Sequence, residues 1–100
     1  IRTLLISQRN AQIHLVATIM AISGGIWLQI TTIQWALLGI SITLVWMAEA
    51  FNTALEFLAD SITQEQHPLI KKAKDLAAAG VLFTALNSVI TALCIFFSPR

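Results

Sequence analysis

The sequence predicts an all-α integral membrane protein: three membrane-spanning helices, with a short helix at the membrane surface before them. Three observations predict it. Hydrophobic residues make up 57% of the chain and charged residues only 11%, about half the charged fraction of a soluble domain. Mean hydropathy is +0.79. The apolar residues fall into three runs, each long enough as a helix to cross about 30 Å of hydrocarbon. The 100 residues are read as one membrane-embedded domain, residues 1–100. The net charge of +1 comes without a basic stripe, so nucleic acid is not an expected partner. The single Cys94 excludes an internal disulfide and a Cys-based zinc site. It sits in an apolar run and is expected as a buried thiol.

The elements follow in order. Ile1 to Ala11 mixes apolar Ile1, Leu4 and Leu5 with Arg2, Gln8, Arg9 and Asn10, which suits a surface helix. The sequence opens on Ile1 rather than Met, so an N-terminal segment is expected to precede it. The first span runs over about 12–29, apolar except for His14, Thr18 and Ser23, and covers about 27 Å. His14, at its start, reads as a snorkelling polar group. A polar connection from Gln29 to Gln34 follows, bracketed by Trp27 and Trp35 as an interfacial aromatic pair would be. The second span covers about 35–61. Thr63 to His67 is a soluble loop, and Pro68 suits the first position of the next helix. The third span covers about 69–97. Its Asn87 and Thr91 suit interhelical hydrogen bonds, and Gly24-Gly25 and Ala77 to Gly80 suit close helix approach. Arg2, Arg9, Lys71, Lys72 and Lys74 gather on the side of the N-terminus and the second loop, while the first loop is uncharged. The excess of Lys and Arg puts that side in the cytoplasm.

The second span carries the chemistry. Glu49, Asn52, Glu56 and Asp60 fall within an arc of about 80° on one helix face. A carboxylate in hydrocarbon is expensive, so such a residue is a functional candidate by default. With Trp35 at the outer interface, Glu49 lies about 21 Å below it, Glu56 about 32 Å and Asp60 about 38 Å. Glu49 is then inside the cytoplasmic leaflet, Glu56 at its boundary and Asp60 in water. That gradient suits a reaction between a membrane-embedded substrate and a soluble one. Glu49 suits a general base, and Glu56 a ligand for a hard cation such as Mg²⁺. The structural alternative is that Glu49 hydrogen-bonds Asn52 or Ser41 of a neighbouring subunit and holds an oligomer together. Lys71 and Lys72 suit headgroup anchoring. Lys74 and Asp75, at the start of the third span, suit phosphate binding or simple charge complementarity with the helix dipole.

The run Glu49-Ala-Phe-Asn52-Thr-Ala-Leu-Glu56-Phe-Leu-Ala-Asp60, then Glu65-Gln66-His67-Pro68-Leu69, then Ala73-Lys74-Asp75, resembles the bacterial diacylglycerol kinase/undecaprenol kinase family. The likeness extends from about Arg2 to about Phe97. The His67-Pro68-Leu69 form looks more like the undecaprenol kinase branch. The resemblance implies a homotrimer of three-helix subunits in the bacterial inner membrane, with active sites shared between subunits on the cytoplasmic side. It implies transfer of the γ-phosphate of MgATP to a lipid hydroxyl. By the same resemblance Glu49 is the general base and also touches the lipid, and Glu56 is a metal ligand. Gln8, Asn52, Glu56, Asp60, Glu65, Gln66, His67, Lys74 and Asp75 serve ATP, and Ala78 lines the lipid site.

One departure stands out. Where the family has a motif like E-x-N-F-R-I-H, this chain reads Gln8-Arg9-Asn10-Ala11-Gln12-Ile13-His14. Gln8 takes the place of a second metal-binding Glu. An amide oxygen can ligate Mg²⁺ but lacks the charge, so weaker metal binding is expected. The alternative function is therefore a weakened or non-catalytic trimeric membrane protein of the same fold. A surface helix touching nucleotide and lipid is also implied before Ile1.

Overall fold

The computed structural model describes residues 9–62 and 67–97. Three helices form an up-down-up arrangement: α1 Arg9–Leu28, α2 Thr32–Ile62 and α3 Pro68–Phe96. All three are long and apolar enough to cross a membrane. The contacts fix the directions. Gly25 meets Trp35 near one end of the α1–α2 pair. Ser41 meets Thr91 and Asp60 meets Lys74, so α3 runs back along α2. Gly24 meets Phe96, so α1 and α3 run the same way.

The α1–α2 turn is shorter than the polar connection predicted from sequence. Thr31 Oγ1 accepts from the Gln34 backbone N–H at 3.2 Å, and Gln34 Oε1 accepts from the Thr31 N–H at 2.9 Å. This reciprocal capping box starts α2 at Thr32 rather than Trp35. On the other side, the Ile30 N–H donates to the Gly25 carbonyl and the Gln29 N–H to that of Ile26. These are the two bonds of a Schellman ending. Gln29 takes the left-handed position, with φ 54°, where a non-glycine residue costs roughly 1–2 kcal/mol.

Around this turn lies the small apolar core: Ile30, Leu38 and Ile95, with Ala21, Leu28, Trp35, Ile42 and Phe96 packed on it. Trp35 is half-buried there rather than free in an aromatic belt, whereas Trp27 is exposed as expected. Away from the core the helices leave most large apolar side chains exposed, which in a bilayer are faces for lipid or other helices. Cys94 is on such a face, exposed, not the buried thiol its apolar surroundings suggested. Apolar neighbours in sequence do not mean burial when the solvent is itself apolar. Gly80 has nothing within 4 Å of its Cβ position, so within this chain it is not a point of close helix approach.

At the other end, α3 begins as predicted, with Pro68 in its first turn. His67 is extended, and its Nδ1 accepts from the Leu69 N–H at 3.2 Å, capping the helix. Within the spans, several polar side chains find partners, as a low-dielectric layer favours. Ser41 Oγ donates to Thr91 Oγ1 at 3.1 Å and accepts from Asn87 Nδ2 at 3.3 Å, the interhelical role expected of Asn87 and Thr91. Thr84 and Ser88 turn their hydroxyls back to the carbonyls of Val81 and Ala85. The expected surface helix over Ile1–Ala11 lies largely outside the described residues, and from Arg9 the chain is already α1.

Gly25 is where the packing is tightest. A Cβ there would lie 2.8 Å from Trp35 Cη2 and 3.1 Å from Ile30 Cδ1. Gly25→Ala is expected to lower unfolding free energy in mixed micelles by about 1–3 kcal/mol through overpacking. Gly80→Ala, with open space around it, is expected to stay within about 0.5 kcal/mol of the parent. Equal effects of the two substitutions would contradict this packing.

Candidate active site

The buried stripe of α2 is Leu38, Ser41, Val45, Glu49, Thr53 and Ala59. Its steps of mostly three and four residues keep it on one helix face. The stripe is apolar toward the α1–α2 turn and acquires a carboxyl at Glu49, which is 1% exposed and the largest fully buried side chain. Asn52 and Glu56 are half-buried and Asp60 is exposed. Glu49, Asn52 and Glu56 are successive near-turn neighbours on this face, and Asp60 follows one turn on.

Glu49 faces α1. His14 Nε2 lies 3.9 Å from Glu49 Oε2, within ion-pair range and beyond a direct hydrogen bond. Glu49 Oε2, Asn52 Oδ1 and Thr53 Oγ1 are buried with no hydrogen-bond partner among the described residues. Such atoms cost about 1–3 kcal/mol each if nothing binds them, so three together make this stretch of α2 the candidate site. One turn away, Trp46 Nε1 donates to Thr18 Oγ1 at 3.0 Å, and Thr18 Oγ1 donates to the His14 carbonyl at 2.7 Å. This chain of bonds holds α1 against α2 beside Glu49.

Beside His14 opens a cleft of about 180 Å³ between the three helices. Ala17, Leu38, Ile42 and Val45 make it apolar, and Thr18, Ser41 and Ser88 add hydroxyl groups. At the watery end, Lys74 Nζ donates to Asp60 Oδ1 at 3.0 Å. Their side chains are 37% and 56% exposed, so the pair contributes at most about 1 kcal/mol; its effect is to place an ammonium beside the acidic face. Asp75 is exposed near it, and Ala78 is exposed on α3 and outside the cleft lining. Gln8, Glu65 and Gln66 lie outside the described residues. Among the described residues no three His, Cys, Asp or Glu side chains gather as a metal cluster. Mg²⁺ does not require one, since it is commonly held by one or two carboxylates with water and substrate phosphates. Glu56 and the unpartnered Asn52 Oδ1 fit that pattern.

The sequence profile of prokaryotic diacylglycerol kinase matches residues 1–96. The chain belongs to the prokaryotic diacylglycerol kinase family. It is 37% identical over 90 residues to the undecaprenol kinase of Bacillus subtilis, covering 90% of this chain and 73% of that protein. It is 37% identical over 94 residues to a diacylglycerol kinase of Synechocystis, covering 93% and 54%. With the diacylglycerol kinase of Escherichia coli it shares 38% identity over 76 residues, covering 76% and 62%. The chain thus spans less than two thirds of the length of the latter two. Membership places the chain among the lipid kinases.

Two features of the site escaped the sequence reading. His14 looked like a snorkelling group, and the Thr18–Trp46 bond was not foreseen. The signal was available in the register. Equal counts back from and forward of the 29–31 turn bring His14 level with the part of α2 that carries Trp46 and Glu49.

The orphaned Glu49 oxygen separates a functional carboxyl from a structural one. Glu49→Leu is expected to raise the unfolding free energy in micelles by about 1–3 kcal/mol, because it removes a buried polar group that lacks a direct partner. A role as structural glue predicts a loss of similar size.

Proposed function

We propose that this chain phosphorylates the hydroxyl of a membrane lipid alcohol, diacylglycerol or undecaprenol, with ATP as donor. The reaction takes place at the cytoplasmic face of the bacterial inner membrane. The observation that carries the reading is the face of α2. It holds a fully buried carboxyl at Glu49 and ends in an exposed one at Asp60, beside Lys74. One rigid helix therefore serves a substrate in lipid and a substrate in water.

In this reading Glu49 takes the proton of the lipid hydroxyl as its oxygen attacks the γ-phosphorus of ATP. The bond from that phosphorus to the β–γ bridging oxygen breaks, ADP leaves with the oxygen, and Glu49 later returns the proton to water. Little covalent chemistry falls to the protein, so catalysis comes from positioning and electrostatics. Glu56 and Gln8 would hold Mg²⁺, which would supply charge neutralisation for the ATP phosphates. Asn52 offers its amide oxygen to the same region. Asp60 holds Lys74 where its ammonium can meet phosphate. His67 commits Nδ1 to the α3 cap, which leaves Nε2 to face the nucleotide together with Glu65, Gln66 and Asp75. The lipid meets Glu49 and Ala78. The exposed apolar faces of the single chain suit a homotrimer with active sites shared between subunits.

Gln8 favours a second reading, a weakened or non-catalytic trimer, because the metal site has lost a carboxylate there. The two part in one assay: the chain in lipid with labelled ATP, offered diacylglycerol and undecaprenol across a Mg²⁺ series. Label is expected in at least one lipid. Glu49→Gln is expected to lower kcat by about 10²–10⁴-fold, the range for loss of a general base. Gln8→Glu is expected to lower the Mg²⁺ concentration for half-maximal rate. No label in either lipid at any Mg²⁺ concentration would leave the non-catalytic reading standing.

A further inference from the structure

The structure offers Glu49 an uncommitted neighbour. Its Oε2 is buried without a hydrogen-bond partner among the described residues, and His14 Nε2 lies 3.9 Å from it. The imidazole is itself largely buried, its side chain 19% exposed. It stands between the carboxyl and the apolar cleft, whose wall it forms with Thr18, Ser41 and Val45. The backbone at this level is tied down. The bond from Trp46 to Thr18, and from Thr18 to the His14 carbonyl, fixes the α1 turn carrying His14 against the α2 turn carrying Glu49.

We propose that His14 is a positioning residue for the base. As an Nε2–H donor it engages Glu49 Oε2, directly or through one water, and turns the other carboxyl oxygen toward the lipid hydroxyl. The inference rests on the lipid-kinase reading for its catalytic consequence. The logic is that of any base oriented by a third group: the carboxyl does the proton transfer, and its partner limits how it can point. A gap of 3.9 Å is compatible with this. Catalytic hydrogen bonds are often long before substrate arrives, and a polar separation above about 3.5 Å is the usual place for a bridging water. His14 gains and loses no proton over the cycle. The proton passes from lipid to Glu49 to water.

Two measurements test it. In the lipid-kinase assay, His14→Ala is expected to lower kcat by about 10–100-fold, the scale of a misplacement of about 1 Å, with KM for ATP within about twofold. His14→Gln, whose amide can donate from nearly the same place, is expected to recover most of the rate. His14→Ala added to Glu49→Gln is expected to cost nothing further, because the group it positions is gone. An unchanged kcat in His14→Ala would overturn the proposal. So would a loss that His14→Gln does not repair and that follows a fall in unfolding free energy.

The second measurement needs no turnover. The sequence holds two histidines, so ¹⁵N resonances of the imidazoles in bilayers are readily assigned. Glu49→Gln is expected to shift the ring nitrogens of His14 and leave those of His67 in place. Identical His14 spectra in parent and variant would overturn the contact itself. If the parent chain labels no lipid, the kinase reading falls and takes the catalytic role of His14 with it. The spectra then still decide whether the two side chains engage.

Discussion

The arrangement of the three helices depends on polar side chains that meet across apolar faces. Between helices in lipid there is little hydrophobic force, because the solvent is as apolar as the side chains. Association must come from close packing and from polar groups that find each other. The chain uses both. Near the α1–α2 turn, Gly24 and Gly25 let Phe96 and Trp35 lie against the α1 backbone. In the middle, Ser41 bridges to Thr91 and Asn87 on α3, and Thr18 receives Trp46 from α2. At the watery end Lys74 reaches Asp60. These contacts form a frame around Glu49 and Thr53, the two members of the α2 stripe whose side-chain oxygens lack a partner among the described residues.

The frame is uneven along its length. The end near the turn is closed by an apolar core. The middle carries hydroxyls that are mostly satisfied within the chain. Unmatched oxygen atoms are concentrated at Glu49, Asn52 and Thr53, one turn before the stripe reaches more exposed residues. Unsatisfied groups lower stability, and proteins keep them where binding compensates for the loss.

Much of this was legible in the sequence. The three spans stand out because apolar runs of membrane length have few competing explanations. The acidic face stands out because four polar residues in an apolar helix share one side. What was not legible depended on partners from other helices. Thr31 and Gln34 read as loop residues until their reciprocal bonds put them at a helix start. Cys94 read as buried because apolar surroundings in water imply a core, and that inference fails in lipid. His14 came beside Glu49 only when α1 was laid against α2. In each case a one-dimensional pattern was correct about chemistry and silent about the neighbour.

The short turn at 29–31 bears on how the protein enters the bilayer. From Asn10 to Ala48 the sequence has no Asp, Glu, Lys or Arg. A helical pair inserted from one side must carry its connecting segment through hydrocarbon, and each bare peptide group is a toll on that passage. Here several of them are already spoken for by bonds to Gly25, Ile26 and Gln34 on either side. The same local bonds that shape the turn make α1 and the first part of α2 a pre-sealed hairpin.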